Sequence, residues 1–213
     1  MPLTLRYMHL SDITEVVTID RESFSTPWTE RSYIYEIKDS TYSHMLTLAT
    51  SSERTANGWR KLLRSLRGKD AGYEVRERVL GYGGLWNVMD EAHISTVATA
   101  PEQRGNGYGE LLLAAMIKKS ILLAATYIVL EVRVSNTTAQ KLYRKYEFEV
   151  ADVKKNYYRD DKEDAYDMRL DLTDRALLDR FNTRYESLLA RFSLTDLYNT
   201  PDNPPTDKPD SNS

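Results

Sequence analysis

Cysteine is absent from the 213 residues, which excludes disulfides, thiolate metal sites and a cysteine nucleophile, and with the last a covalent thioacyl-enzyme route. Histidine is scarce: His9, His44 and His93 fall at no ligand spacing, so no metal site is expected. No apolar run approaches the roughly 20 residues needed to cross a bilayer. The opening M-P-L-T-L-R-Y lacks the apolar core of a signal peptide, so the expectation is a cytoplasmic protein with no membrane partner. Charge of one sign is also lacking. A formal net charge of -3 argues against a protein-wide nucleic-acid surface and leaves only a local basic patch as a candidate. No repeat period is visible, and 41% hydrophobic residues suit one globular domain with additions.

The most informative stretch present is His93 to Gly109, H-I-S-T-V-A-T-A-P-E-Q-R-G-N-G-Y-G. An alternating strand runs into a glycine-rich turn, and a helical pattern follows from Glu110 to Ser120. Gly105, Gly107 and Gly109 remove β-carbons that would keep a phosphate from backbone N–H groups, and the helix aims its positive end at the same place.

Upstream, Leu3 to Met8 alternates as a strand, and Ser11 with Asp12 can cap a helix that turns Ile13, Val16, Val17 and Ile19 inward. A second helix is expected from near Trp28, opened by Thr26 or Pro27, with Tyr33, Ile34 and Ile37 at helical spacing. Met45 to Ala49, Val79 to Trp86 and His93 to Thr99 suggest an antiparallel meander. Between its first two strands, Ser51 to Arg78 is basic, with Trp59, Leu62, Leu63 and Leu66 on one helical face. That insertion reads as a helix docked by its apolar stripe, or as a patch for RNA or an acidic partner.

Downstream, A-T-Y-I-V-L-E-V at Ala125 to Val132 is a strand with Ile128, Leu130 and Val132 on one face and Tyr127, Val129 and Glu131 on the other. Glu131 in such a strand either pairs with an arginine or caps backbone, or serves as a general base whose apolar setting raises its pKa. Ser135 or Asn136 can cap the next helix, in which Ala139, Leu142 and Tyr143 face inward. Thr173 can cap a further helix striped by Leu177, Leu178, Phe181, Tyr185, Leu188, Leu189 and Phe192, which packs on the domain or forms a dimer. Beyond Tyr198 no core residue remains, and a disordered tail is expected.

These stretches together resemble the GNAT superfamily of N-acetyltransferases, and within it the RimI type, which acetylates the N-terminal alanine of a small-subunit ribosomal protein. Arg104, Gly107 and Gly109 meet the superfamily's R/Q-x-x-G-x-G/A signature. L-E-V-R-V-S-N at Leu130 to Asn136, with Leu142 and Tyr143, is similar to the RimI pattern, as are E-S-F-S-T-P-W at Glu22 to Trp28 and N-Y-Y at Asn156 to Tyr158 before D-A-Y-D-M at Asp164 to Met168.

The resemblance spans residues 1–170, interrupted by the insertion at 51–78, with a C-terminal helix over 171–197 and a tail over 198–213. It implies an α/β (α+β) GNAT fold, whose mixed, largely antiparallel V-shaped sheet is flanked by helices. Acetyl-CoA is the implied co-substrate, without a metal. Val97, Ala98 and Thr99 would pair with its pantetheine amides, Arg104, Gly105, Asn106, Gly107, Tyr108 and Gly109 would hold its pyrophosphate, and Asn136 would touch the arm. Glu131 corresponds to the base and Tyr143 to the acid. Phe24, Trp28, Tyr33, Tyr157 and Tyr158 are placed near the groove for a protein or peptide N-terminus. Alternatives are a GNAT enzyme acting on another N-terminus, a lysine or a small amine, and an acetyl-CoA-binding module that has lost chemistry. The last arises because Glu147 stands where RimI-type chains have glycine, which unsettles the turn after the tyrosine helix. A monomer or a dimer fits the sequence.

Overall fold

The computed structural model describes residues 2–54 and 74–200. Among the described residues, eight strands form one sheet in the order β6-β7-β5-β4-β3-β2-β1-β8. The strands are β1 (Leu3–Tyr7), β2 (Ser43–Arg54), β3 (Glu74–Val88), β4 (Glu91–Thr99), β5 (Tyr127–Arg133), β6 (Glu149–Lys154), β7 (Ala165–Asp171) and β8 (Leu194–Asp196). Neighbours are antiparallel except β4 with β5 and β1 with β8. The helices described are α1 (Ile13–Ser23), α2 (Glu30–Lys38), α3 (Tyr108–Leu122), α4 (Thr137–Lys145) and α5 (Arg175–Phe192).

The two faces of the sheet bury different helices. α1 and α2 cover one, where Val16, Ile19, Tyr33 and Ile37 meet Met45 and Tyr82. α3 covers the other and is apolar nearly all round, with Leu111, Leu112, Leu113, Met116 and Ile117 fully buried. A helix wetted on one side would waste that pattern; here the sheet lies beneath α3 and α5 lies over it. The stripe Leu177, Phe181, Tyr185 and Leu188 is therefore covered by the chain's own domain. α3 comes so close to the sheet that a Cβ on Gly83 would lie 2.9 Å from the Met116 sulfur.

Several boundaries differ from the sequence reading. α2 begins at Glu30, because Thr29, not Thr26 or Pro27, accepts the Ser32 N–H at 3.1 Å. α5 is capped by Asp174, which accepts from Ala176, while Thr173 donates instead to Asp171. β2 and β3 are longer than expected and pair out to Arg54 and Glu74, so both ends of the 51–78 insertion are strand; the helix expected inside it lies outside the described residues. The 171–197 helix ends at Phe192, and Leu194–Asp196 turns back to pair in parallel with β1. Tyr198, placed in the expected tail, is fully buried against Tyr7 with ring centroids 4.8 Å apart. The rest of that tail, from 201, lies outside the described residues. No helix among the described residues is long and apolar enough to cross a membrane.

Candidate active site

β4 and β5 run side by side for three rungs, ending at His93↔Val129, and then part. Beyond that point, among the described residues, β4 is held only by β3, and β5 only by β7. A bulge helps: Gly84 pairs with Thr96 and Leu85 with Ile94, so Ser95 has no rung partner. Val97, Ala98 and Thr99 consequently turn one backbone edge to the opening, free of a ladder on that side. An amide-bearing arm can pair with that edge as an added strand would.

The opening leads to the glycine turn. Gly105 and Gly107 have φ of 81° and 85°, conformations that cost an L side chain about 1–2 kcal/mol. Gly107 caps α3 without a side-chain bond, leaving first-turn N–H groups for an anion. Arg104 is exposed and donates to Ser23 Oγ at 3.1 Å, and Asn106 bonds back to the Gln103 carbonyl at the same distance. Gly109 has ordinary space around it: a Cβ there would rest 3.6 Å from Thr99 Oγ1. Asn136 caps α4 by accepting the Ala139 N–H at 3.1 Å, which leaves its side-chain N–H groups as donors. Positive-φ glycines, uncapped N–H groups, a free strand edge and an amide donor fit an acyl-CoA laid along the cleft.

Alternation in β5 sends Glu131 to the α1–α2 side, with only 12% of its side chain exposed. Its Oε2 lies 2.8 Å from His93 Nε2, and its Oε1 lies 2.5 Å from Lys154 Nζ, which also meets Asp167 at 2.9 Å. Burial works to raise the carboxyl, but hydrogen bonds and charge from His93 and Lys154 outweigh it and hold its pKa at about 2. The expectation of a raised pKa is therefore overturned, and the pairing partner is lysine and histidine, not arginine. His93 stands edge-on to Trp86, and Trp86 stacks on Trp28 at 6.1 Å, so an aromatic wall leads to the pair. Asp20 fixes that wall by accepting the Trp28 N–H at 2.6 Å.

Tyr143 is buried in α4 with its ring 6.0 Å from Phe148, and its hydroxyl has no hydrogen-bond partner among the described residues. Burial, with Tyr158 adding to it, pushes its pKa up to about 12. Tyr157 and Tyr158 meet edge to face at 5.2 Å, and Phe24 is exposed at the end of α1. Tyr33 does not join them. It is fully buried and donates to the Tyr82 hydroxyl at 3.0 Å, so it belongs to the core and cannot line a groove.

The sequence reading missed an ionic clasp. Arg133, two residues after Glu131 and on the same face, contacts Asp160 at 2.7 Å and Asp161 and Glu163 at 2.8 Å. Asp160 also accepts from Ser25 at 2.5 Å, which ties the loop after α1 to the β6–β7 loop. The acidic run D-D-K-E-D at 160–164 was the available signal. No group of three or more His, Asp and Glu among the described residues could hold a metal ion.

A forked sheet beside a glycine turn that opens a helix is the architecture of an acyltransferase. The chain belongs to the acetyltransferase (GNAT) family, whose model matches residues 13–148. It is 35% identical over 161 residues, 76% of this chain and 90% of the relative, to a Bacillus subtilis protein provisionally named as a ribosomal protein bS18-alanine N-acetyltransferase. Its fold matches the ribosomal-protein-S18-alanine N-acetyltransferase from Escherichia coli with a TM-score of 0.62 and 24% identity, over 81% of this chain and 95% of that one. It also matches a chain of the NatC complex bound to Gag peptide and CoA, with a TM-score of 0.58 and 16% identity, over 81% of this chain and 100% of the other. The protein is an N-acetyltransferase of RimI-like sequence.

Proposed function

We propose that the chain is an acetyl-CoA-dependent N-terminal (α-amino) acetyltransferase of RimI type, whose acceptor is the N-terminal alanine of a small-subunit ribosomal protein. The observation that carries the α-amine chemistry is the His93–Glu131 pair at the fork where β4 leaves β5. The names of the relatives support the acceptor.

Acetyl-CoA supplies the acetyl group as a thioester. An α-amino group titrates near 7.7 to 8.0 and must lose a proton before it attacks. Glu131, with its pKa held at about 2, is too weak a base to take that proton at neutral pH. Being ionised, it accepts the His93 Nε2 proton, and this tautomer leaves a lone pair on Nδ1 to receive the amine proton, directly or through one water. A β4 N–H at Ala98 or Thr99 is the donor for the thioester carbonyl oxygen. As the C–N bond forms and the C–S bond breaks, Tyr143 donates its proton to the departing sulfur. With a pKa near 12 it keeps that proton until needed. No covalent enzyme forms. Asp160 and Arg133 hold the two acceptor-side loops together, so the amine enters from the Trp28 and Tyr157 side.

The test offers acetyl-CoA with peptides beginning Ala-Arg, with N-terminally blocked peptides containing lysine, and with polyamines. Transfer to the free alanine amine is expected. Transfer only to lysine or to a small amine would replace this reading with the corresponding GNAT activity.

A further inference from the structure

α5 ends on the glycine turn. A Cβ placed on Gly107 would sit 3.1 Å from Phe192 Cζ and 3.6 Å from an Arg191 guanidinium nitrogen. Phe192 is anchored by the Tyr108 ring at 5.8 Å, so the last turn of α5 is seated on the first turn of α3. Gly107 is thus hemmed in by this chain's own C-terminal helix.

Arg191 is exposed, and its described contact is with the neighbouring Phe192 ring at 5.1 Å. It makes no hydrogen bond or ion pair among the described residues. Two other α5 arginines are engaged: Arg180 forks onto Glu147 and Arg184 donates to the Lys145 carbonyl. At Arg191 a planar group with five donors stands unpaired beside the uncapped start of α3. The C-terminal end of α5 brings partial negative charge to this spot, which by itself would repel an anion. A cation in its last turn reverses that sign. Arg191 lies outside residues 13–148 matched by the family model, so this cation is supplied by the C-terminal extension.

We propose that Arg191 binds the diphosphate of the CoA donor, so that α5 completes the donor site from outside the family domain. The proposal rests on the acetyl-CoA reading of the glycine turn. Arg104 approaches that turn from the side of α1, where it meets Ser23, and Arg191 approaches from the side of α5. The diphosphate then lies between two guanidinium groups and over the first N–H groups of α3.

Calorimetric titration of the full chain with CoA and with 3′-dephospho-CoA tests it, using the parent, Arg191→Gln and Arg191→Lys at low and high salt. Arg191→Gln should weaken both ligands about tenfold at low salt and less at high salt, as loss of one charge-assisted contact requires. Arg191→Lys should restore part of the affinity, and the ligand-free melting temperature of all three should agree. Unchanged affinity in Arg191→Gln overturns the proposal. So does a loss confined to CoA, which would move the arginine to the 3′-phosphate, and so does a lowered melting temperature without rescue by lysine. A parent protein that binds neither ligand would instead defeat the acetyl-CoA reading beneath it.

Discussion

His93, on the last paired rung of β4 and β5, has its Nε2 2.8 Å from Oε2 of Glu131, two residues past that rung on β5. Two neighbouring strands thus bring a histidine and a carboxylate together where they stop being neighbours. If the two side chains act as a unit, His93→Ala and Glu131→Gln should each lower kcat by about 100-fold, and the double variant should lose little more. Steady-state rates with a peptide beginning Ala-Arg check this. Additive losses would separate the two residues.

Tyr143 has no other hydrogen-bond duty among the described residues, so removing its hydroxyl should leave the core intact. Tyr143→Phe should reduce kcat by about 100-fold or more while CoA binding stays within twofold, the range of a lost acid beginning at roughly 100-fold. Unchanged turnover would remove Tyr143 from the mechanism.

The carboxyl of Glu131 is ionised down to about pH 2 because His93 and Lys154 hold it there. A lowered folded-state pKa contributes stability above the ordinary carboxylate range, and that contribution is lost as pH falls through the range towards 2. Lys154→Met removes one of the two partners. The Glu131 carboxyl should titrate at higher pH by carbon NMR, and acid unfolding should begin at higher pH than in the parent. An unmoved Glu131 titration would show that Lys154 is not what holds it.

Glu147 occupies the left-handed region with φ of 66°, where the RimI pattern has glycine, and its carboxylate takes a forked bond from Arg180 at 2.6 and 2.9 Å. The turn is therefore kept, not lost. α4 ends at Lys145, before this turn, and Tyr143 is buried. Glu147→Gly would relieve roughly 1 kcal/mol of strain and give up an exposed ion pair of similar or smaller worth. The melting temperature should move by only a few degrees and kcat should not change. A large gain in kcat would mean that Glu147 distorts the site.

Much of the fold was legible because it is local. The period of two in Y-I-V-L-E-V-R and the helical spacing of Val16, Ile19, Tyr33 and Ile37 state which face is buried without reference to any partner. The glycine turn is local in the same sense, since the chain must take positive φ at Gly105 and Gly107 whatever surrounds them. Tyr33 shows where locality ends: its spacing is the same whether it lines a groove or fills a core, and only the hydroxyl of Tyr82 decides. Nor does anything near Thr26 reveal that Thr29 is the better cap.

The sequence by itself determined the family's motifs, the strand that carries Glu131 and the loop that starts α3. Only the tertiary structure decided what state Glu131 is in, because its partners lie 38 residues before it and 23 residues after it on other strands. Burial alone would have raised its pKa, and two cationic or hydrogen-bonding neighbours reverse the sign. The meeting of α5 with Gly107 was equally hidden, since an amphipathic stripe says that a helix must dock but not where its last turn will lie.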